Sequence, residues 1–319
     1  MVDPNNWVIL ILSLVGSYLL TPVFRRLALR IGLTDKPNPR KIHSEPIPIA
    51  GGFGFLVVFV SLSLIFLPID KKLLSIIGGA ILIFITHLID DLFKANSKDF
   101  PALPKFLGQM ASALIVVAGG VSISFVKNPF SGNYILFSPI LSTIFTILWI
   151  AGVSNLINFA DGLDGLASGI TAIAGTTLAI ASDILNRDYA TTMAIMLVGI
   201  SLGFIRHNVS AKNKVFMGDS GAYLLGFILG VIAIDGTMKS TAAIAILVPF
   251  LVLGQPIIDT GINVIRRTFK GEPFYKADKE HLHHKLLNWG LSTTQALIFI
   301  YLINICFSLM ALLAIFVKR

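Results

Sequence analysis

The chain has 319 residues, 55% of them hydrophobic and only 13% charged, with a mean hydropathy of +0.83 and a formal net charge of +8. A soluble domain carries about 25% charged residues, so this composition excludes an ordinary soluble globular protein. The apolar residues fall in runs near twenty, long enough to cross a bilayer, and the single Cys306 argues against both a disulfide framework and a thiolate metal centre.

Ten membrane spans are predicted, at about 6–24, 51–68, 72–89, 106–124, 139–157, 162–182, 189–206, 219–235, 241–265 and 293–316. The first run leads into basic residues without a small-residue cleavage pattern, so it is expected to be retained as a span. The segments after the first, third, fifth, seventh and ninth spans hold 18 of the 25 Lys and Arg residues. This sorting places those segments in the cytoplasm and both termini outside, and it explains the net charge without nucleic acid. Every chemically suggestive residue then falls on the cytoplasmic face. The expected fold is an all-α polytopic membrane protein, one domain over residues 1–319, with cytoplasmic active-site loops.

In chain order, the first loop (25–50) ends in His43-Ser-Glu-Pro-Ile-Pro-Ile-Ala-Gly-Gly52. Two prolines restrict the backbone and two glycines then free it, which suits either ligand contact or tight packing of the second span. Asp90 and Asp91 end the third span, where acids oppose the helix dipole. As neighbours on a helix they point about 100° apart, which suits different tasks. Lys94, Lys98 and Lys105 follow, ammonium groups suited to phosphate-bearing ligands. Residues 121–138 alternate around a turn signal and are read as a short external β-hairpin.

Asn155-Leu-Ile-Asn-Phe-Ala-Asp-Gly-Leu-Asp-Gly-Leu-Ala-Ser-Gly169 sets Asn155, Asn158, Asp161 and Asp164 between apolar segments. If a helix begins there, both acids face one way near its positive end, a place to hold a cation; helix capping by Asn158 and Asp161 is the plainer reading. Phe216-Met-Gly-Asp-Ser-Gly-Ala222 brings Asp219 to the mouth of the eighth span between glycines. With Asp161 and Asp164 it forms an oxygen-rich set suited to Mg2+, which binds through few carboxylates, retained waters and phosphates. Pro249 and Pro256 predict a bend in the ninth span, where Asp259 reads as a structural pair as readily as a functional one. In His281-Leu-His-His284, a helix would put His281 and His284 on one face; contact with phosphate or ribose suits this basic surrounding better than zinc.

These segments, in this order, resemble the polyprenyl-phosphate N-acetylhexosamine-1-phosphate transferases, in the WecA/TagO branch related to MraY. The resemblance spans nearly the whole chain, from His43–Gly52 through Asp90-Asp91, Asn155–Ala167 and Met217–Gly221 to His281–His284. It implies ten or eleven spans in the bacterial inner (cell) membrane, a cytoplasmic Mg2+ site with Mn2+ as an alternative ion, and membrane lipid around it. The implied substrates are a UDP-N-acetylhexosamine and undecaprenyl phosphate; a homodimer is a candidate assembly. The implied reaction moves N-acetylhexosamine 1-phosphate, GlcNAc-1-phosphate foremost, to the lipid and releases UMP, a first step of cell-envelope glycopolymer synthesis. The implied catalytic residues are Asp90, Asp91, Asp161, Asp164 and Lys105. Asp219, Asp91 and Asp164 are the implied metal ligands. His43, Lys94, Asn155, Asn158, His281, His283 and His284 are the implied substrate contacts. The pentapeptide-muramyl branch usually shows three consecutive histidines followed soon by an acid; His281-Leu-His-His284 departs from that pattern, which ranks a phospho-MurNAc-pentapeptide transferase second, as the alternative.

A secondary transporter is the competing class, but the acids cluster at span ends rather than at the midplane, and no broken-helix repeat is visible. For the reaction, a direct attack with Asp90 orienting or deprotonating the lipid phosphate is expected, against a covalent phosphosugar on Asp91 or Asp90.

Overall fold

The computed structural model describes residues 4–36, 45–127, 133–238, 247–269 and 281–317. In chain order its helices are α1 (Pro4–Ile31), α2 (Gly51–Phe66), α3 (Lys71–Ala95), α4 (Ala102–Ala118), α5 (Pro139–Ala160), α6 (Leu166–Ile184), α7 (Asp188–Asn208), α8 (Gly218–Ala233), α9 (Leu247–Val252), α10 (Gly254–Phe269), α11 (Leu282–Asn288) and α12 (Thr293–Val317). A π-helical turn, Ile234–Met238, prolongs α8. Among the described residues seven helices are long and apolar enough to cross a membrane, namely α1, α3, α5, α6, α7, α12 and α8 with its π turn. They match seven of the ten predicted spans. The second and fourth appear as the shorter apolar helices α2 and α4. The ninth is broken at Leu253, as its prolines predict: Pro256 has no N–H to give to Val252, and the ladder resumes with Ile257 N–H to Leu253 O at 2.9 Å.

Helix α8 is buried from Ser220 to Ala233 and packs against α2, α3, α5, α6 and α7. Small residues make this possible, because helices surrounded by hydrocarbon gain most from close backbone packing. A Cβ on Gly226 would lie 2.6 Å from Ser154 Cα of α5, and one on Gly199 of α7 would lie 2.5 Å from Ser13 Cβ of α1. Outward faces are apolar instead, with Trp7, Leu19, Leu302 and Phe316 more than half exposed. Those are surfaces for lipid.

Two small sheets complete the architecture. β1 (Thr34–Asp35) pairs antiparallel with β2 (Ile47–Pro48). β3 (Phe125–Lys127) pairs antiparallel with β4 (Tyr134–Leu136) in the register Phe125 to Leu136, the expected hairpin; its turn, 128–132, lies outside the described residues. The tail of the first loop is tied to the approach to α8: Phe216 N–H donates to Pro48 O (2.9 Å), and Ala50 N–H donates to Phe216 O (3.1 Å). A Cβ on Gly52 would meet Gly221 N at 2.8 Å. In the described residues the double glycine therefore serves close packing of α2 on α8. His43 lies outside them.

Candidate active site

The site is built where α3 and α5 end and α8 begins. Helix α8 lacks a cap of its own, since Met217 makes no side-chain cap and Gly218 takes φ +75. Asp91 supplies it from α3: Oδ1 accepts the Asp219 N–H (2.9 Å), and Oδ2 accepts both the N–H (3.0 Å) and the hydroxyl (2.6 Å) of Ser220. The cap also explains Gly218, whose Cβ would lie 2.7 Å from Asp91 Oδ2. Both oxygens of this buried carboxylate are thereby occupied at the head of α8.

Asp90, turned about 100° around the same helix, faces cations instead. Its Oδ2 is 3.1 Å from Lys94 Nζ, and Lys105 Nζ reaches Oδ1 and Oδ2 at 3.3 and 3.2 Å. Lys94 also contacts Asp219 Oδ2 at 2.6 Å. One ammonium thus joins two carboxylates from different helices, with Asp219 in the first turn of α8 where the helix dipole favours an anion. His87, one turn before Asp90, completes a group in which one ligand atom each of His87, Asp90 and Asp219 lies within 4.8 Å of the others.

A polar network supports this group. Asn155 Nδ2 donates to Ala151 O (2.8 Å) and to Gln109 Oε1 (2.8 Å), while Tyr223 OH donates to Asn155 Oδ1 (2.9 Å). Gln109 Nε2 then meets His87 Nε2 at 3.3 Å, and the Tyr223 ring stacks on His87 with centroids 3.5 Å apart. Asn155 is thereby placed behind the acids as a support. His87 Nδ1 remains buried without a hydrogen-bond partner. The two carboxylates, Asp90 and Asp219, fit a hard divalent cation that keeps part of its water shell.

The α5–α6 connection differs from the helical expectation. Asp161 is the C-cap of α5, and α6 starts only at Leu166 after Gly165 at φ +84, so Asp161 and Asp164 share a turn rather than a helix face. Neither Asn158 nor Asp161 caps α6; the Asn158 carbonyl accepts the Asp161 N–H (3.1 Å). Asn208 fastens the turn, accepting the Gly165 N–H at 2.6 Å and donating to Val215 O at 2.9 Å. Asp164 is ion-paired with Lys214. Burial pushes the Asp161 carboxyl well above the usual carboxylate range, and Asp219, Asp164 and Asp91 add to it. The Asp161 carboxyl thus senses the charge of the acids on α3 and α8.

The histidines reach this turn from α11. His281 stands at the N-cap with extended backbone, so the helical face shared with His284 does not form. The His283 ring packs on Gly162, parallel to His281 (centroids 6.0 Å) and 4.2 Å from His284. Burial lowers His283 to about 4, with His284 and His281 adding to the effect. Sequence reasoning missed His87, Gln109, Asn208, Lys214 and Tyr223 as parts of the site. Three had a signal: His87, Gln109 and Tyr223 stand three or four residues from Asp90, Lys105 and Asp219, on the same helix faces.

Residues 73–237 match the family model described as glycosyl transferase family 4. The chain is 32% identical over 303 residues to the "Probable undecaprenyl-phosphate N-acetylglucosaminyl 1-phosphate transferase" of Bacillus subtilis (strain 168), covering 95% of this chain and 83% of that one. It is 33% identical to the decaprenyl-phosphate N-acetylglucosaminephosphotransferase of Mycolicibacterium smegmatis, covering 91% and 79%. It is 27% identical to the undecaprenyl-phosphate alpha-N-acetylglucosaminyl 1-phosphate transferase of Escherichia coli (strain K12), covering 91% and 80%.

Proposed function

The chain belongs to glycosyl transferase family 4, and on that premise we propose that it transfers N-acetylglucosamine 1-phosphate from UDP-GlcNAc to undecaprenyl phosphate, releasing UMP. The observation that carries the reading is the joining of Asp90 and Asp219 through Lys94 at the ends of apolar helices. An arrangement of acids and cations at such a place suits a diphosphate whose acceptor stays in lipid. The sorting of basic residues supports a site on the cytoplasmic face of the cell membrane.

In the reaction an oxygen of the lipid phosphate bonds to the β-phosphorus of the donor. The bond from that phosphorus to the bridging oxygen breaks, and UMP leaves with its electron pair. Both reactants are anions, so their repulsion must be offset before orientation can help. Lys94 and Lys105, held beside Asp90, supply the positive charge that receives the incoming phosphate, and Asp90 orients it through these ammonium groups. A lipid phosphate near neutral pH needs little deprotonation, so direct attack requires no strong base. Asp219 and Asp90 would hold Mg2+, or Mn2+ in its place, with His87 beside them; when bound, the ion supplies Lewis-acid stabilisation of charge gathering on the leaving UMP. Asp91 keeps Asp219 in place by capping α8, and Asp161 and Asp164 shape the nucleotide side.

The test is UMP release by detergent-purified protein with undecaprenyl phosphate and Mg2+, with UDP-GlcNAc, UDP-GalNAc and UDP-MurNAc-pentapeptide offered separately. Release with UDP-GlcNAc, lost in Asp219→Ala, is expected. Release with the pentapeptide donor alone would move the protein to the muramyl branch.

A further inference from the structure

Asp259 lies on α10, and both of its carboxylate oxygens are directed at the start of α11. Oδ1 accepts the Leu282 N–H at 2.8 Å, and Oδ2 is 2.9 Å from His281 Nδ1. An ionised carboxylate only accepts, so the Nδ1 it faces carries a proton. Asn263, one turn along α10, has its side-chain amide 3.1 Å from the same Nδ1, while its Oδ1 is buried without a partner. A half-turn of that amide brings Oδ1 onto Nδ1–H and satisfies both groups. Two acceptors then hold one proton on Nδ1, and in the neutral ring Nε2 is left as an acceptor.

The ring itself is fixed in place. It lies parallel to His283 and 5.9 Å from the Phe159 ring, on the last turns of α5 that lead to Asp161. We propose that Asp259 is a positioning residue that holds His281 in its Nδ1–H tautomer, so that Nε2 accepts a hydrogen bond from a hydroxyl or amide N–H of the donor sugar. A lone pair repels an ionised phosphate oxygen and selects an O–H or N–H donor, which the hexosamine supplies. The inference rests on the functional reading above and sharpens it: this histidine reads the sugar rather than the diphosphate. A carboxylate behind a histidine is a general means of fixing its tautomer.

Asp259→Asn separates this role from a merely structural one. Its oxygen still accepts the Leu282 N–H, but an amide N–H now faces Nδ1 and drives the ring proton to Nε2. Long-range 1H–15N spectra of histidine-labelled protein in detergent, with His281 assigned through His281→Gln, read the tautomer directly. The expected result is Nδ1–H with a bare Nε2 in the wild type and the reverse in Asp259→Asn. In kinetics, Asp259→Asn is expected to raise KM for UDP-GlcNAc about tenfold or more, as for other groups that orient a histidine, with KM for undecaprenyl phosphate and the thermal midpoint unchanged. A wild-type ring protonated on Nε2, or an Asp259→Asn enzyme with wild-type KM for the donor, overturns the proposal. A wild type that releases no UMP contradicts the functional reading instead, and the spectrum still decides the tautomer.

Discussion

Asp91 and Ser220, 129 residues apart, are joined twice, Asp91 Oδ2 accepting the serine N–H at 3.0 Å and its hydroxyl at 2.6 Å. Asp90, its neighbour, makes none of these bonds and instead meets two ammonium groups. The adjacent acids therefore fail differently when changed. Asp91→Ala leaves buried donors at the head of α8 and is expected to cost about 1–3 kcal/mol, read as a fall in thermal midpoint. Asp90→Asn keeps the midpoint within a few degrees, because its ion partners are partly exposed and screened, and lowers kcat by about a hundredfold or more. Thermal denaturation in detergent beside UMP release checks both, and the opposite assignment would contradict it.

Lys94 neutralises Asp90 and Asp219 together. Lys94→Met removes that charge while keeping the length of the side chain. The carboxylates then depend more on a divalent cation, so the Mg2+ concentration for half-maximal UMP release is expected to fall. The donor phosphates lose a charge-assisted contact, and kcat is expected to fall by about tenfold or more. A rise in the half-maximal concentration would count against a cation at this pair.

How much of this was legible in the sequence differs between elements. The helical membrane class and the hairpin at 125–136 follow from run length and alternation, because hydrocarbon allows few other ways to satisfy a backbone. Asp90, Asp91 and Asp219 stood out because acids at the ends of apolar helices are costly without a task. The division of labour between Asp90 and Asp91 was only partly legible: a helix separates their directions, but the N–H groups of Asp219 and Ser220 come from a remote helix. The expected helix at Asp161 and Asp164 failed for a local reason. Gly165 in the left-handed region, fastened by Asn208, delays α6 until Leu166.

His283 makes acid stability a further test. It is 4% exposed, and its folded-state value is lowered from 6.5 to about 4. Between those values the unfolded chain takes up a proton that the folded protein refuses, so stability falls as pH falls through this window and is unaffected by this group above it. The loss is on the order of 3 kcal/mol at most. His283→Gln does not titrate, and its thermal midpoint is expected to depend less on pH between about 6.5 and 4 than that of the wild type. Equal pH dependence in the two proteins would show that His283 is not held neutral by burial.

The most direct test of the account is the fate of the β-phosphate. UDP-GlcNAc carrying 32P in the β-phosphate and 14C in the sugar is incubated with undecaprenyl phosphate, Mg2+ and the purified protein, and the lipid extract is counted. Transfer of sugar 1-phosphate at the Asp90–Asp219 pair is expected to bring both labels into the lipid in equal amounts with UMP as co-product, and the entry of both labels is expected to slow together by about a hundredfold or more with Asp90→Asn or Asp219→Asn. Sugar label without phosphorus label in the lipid, with UDP released, would contradict it.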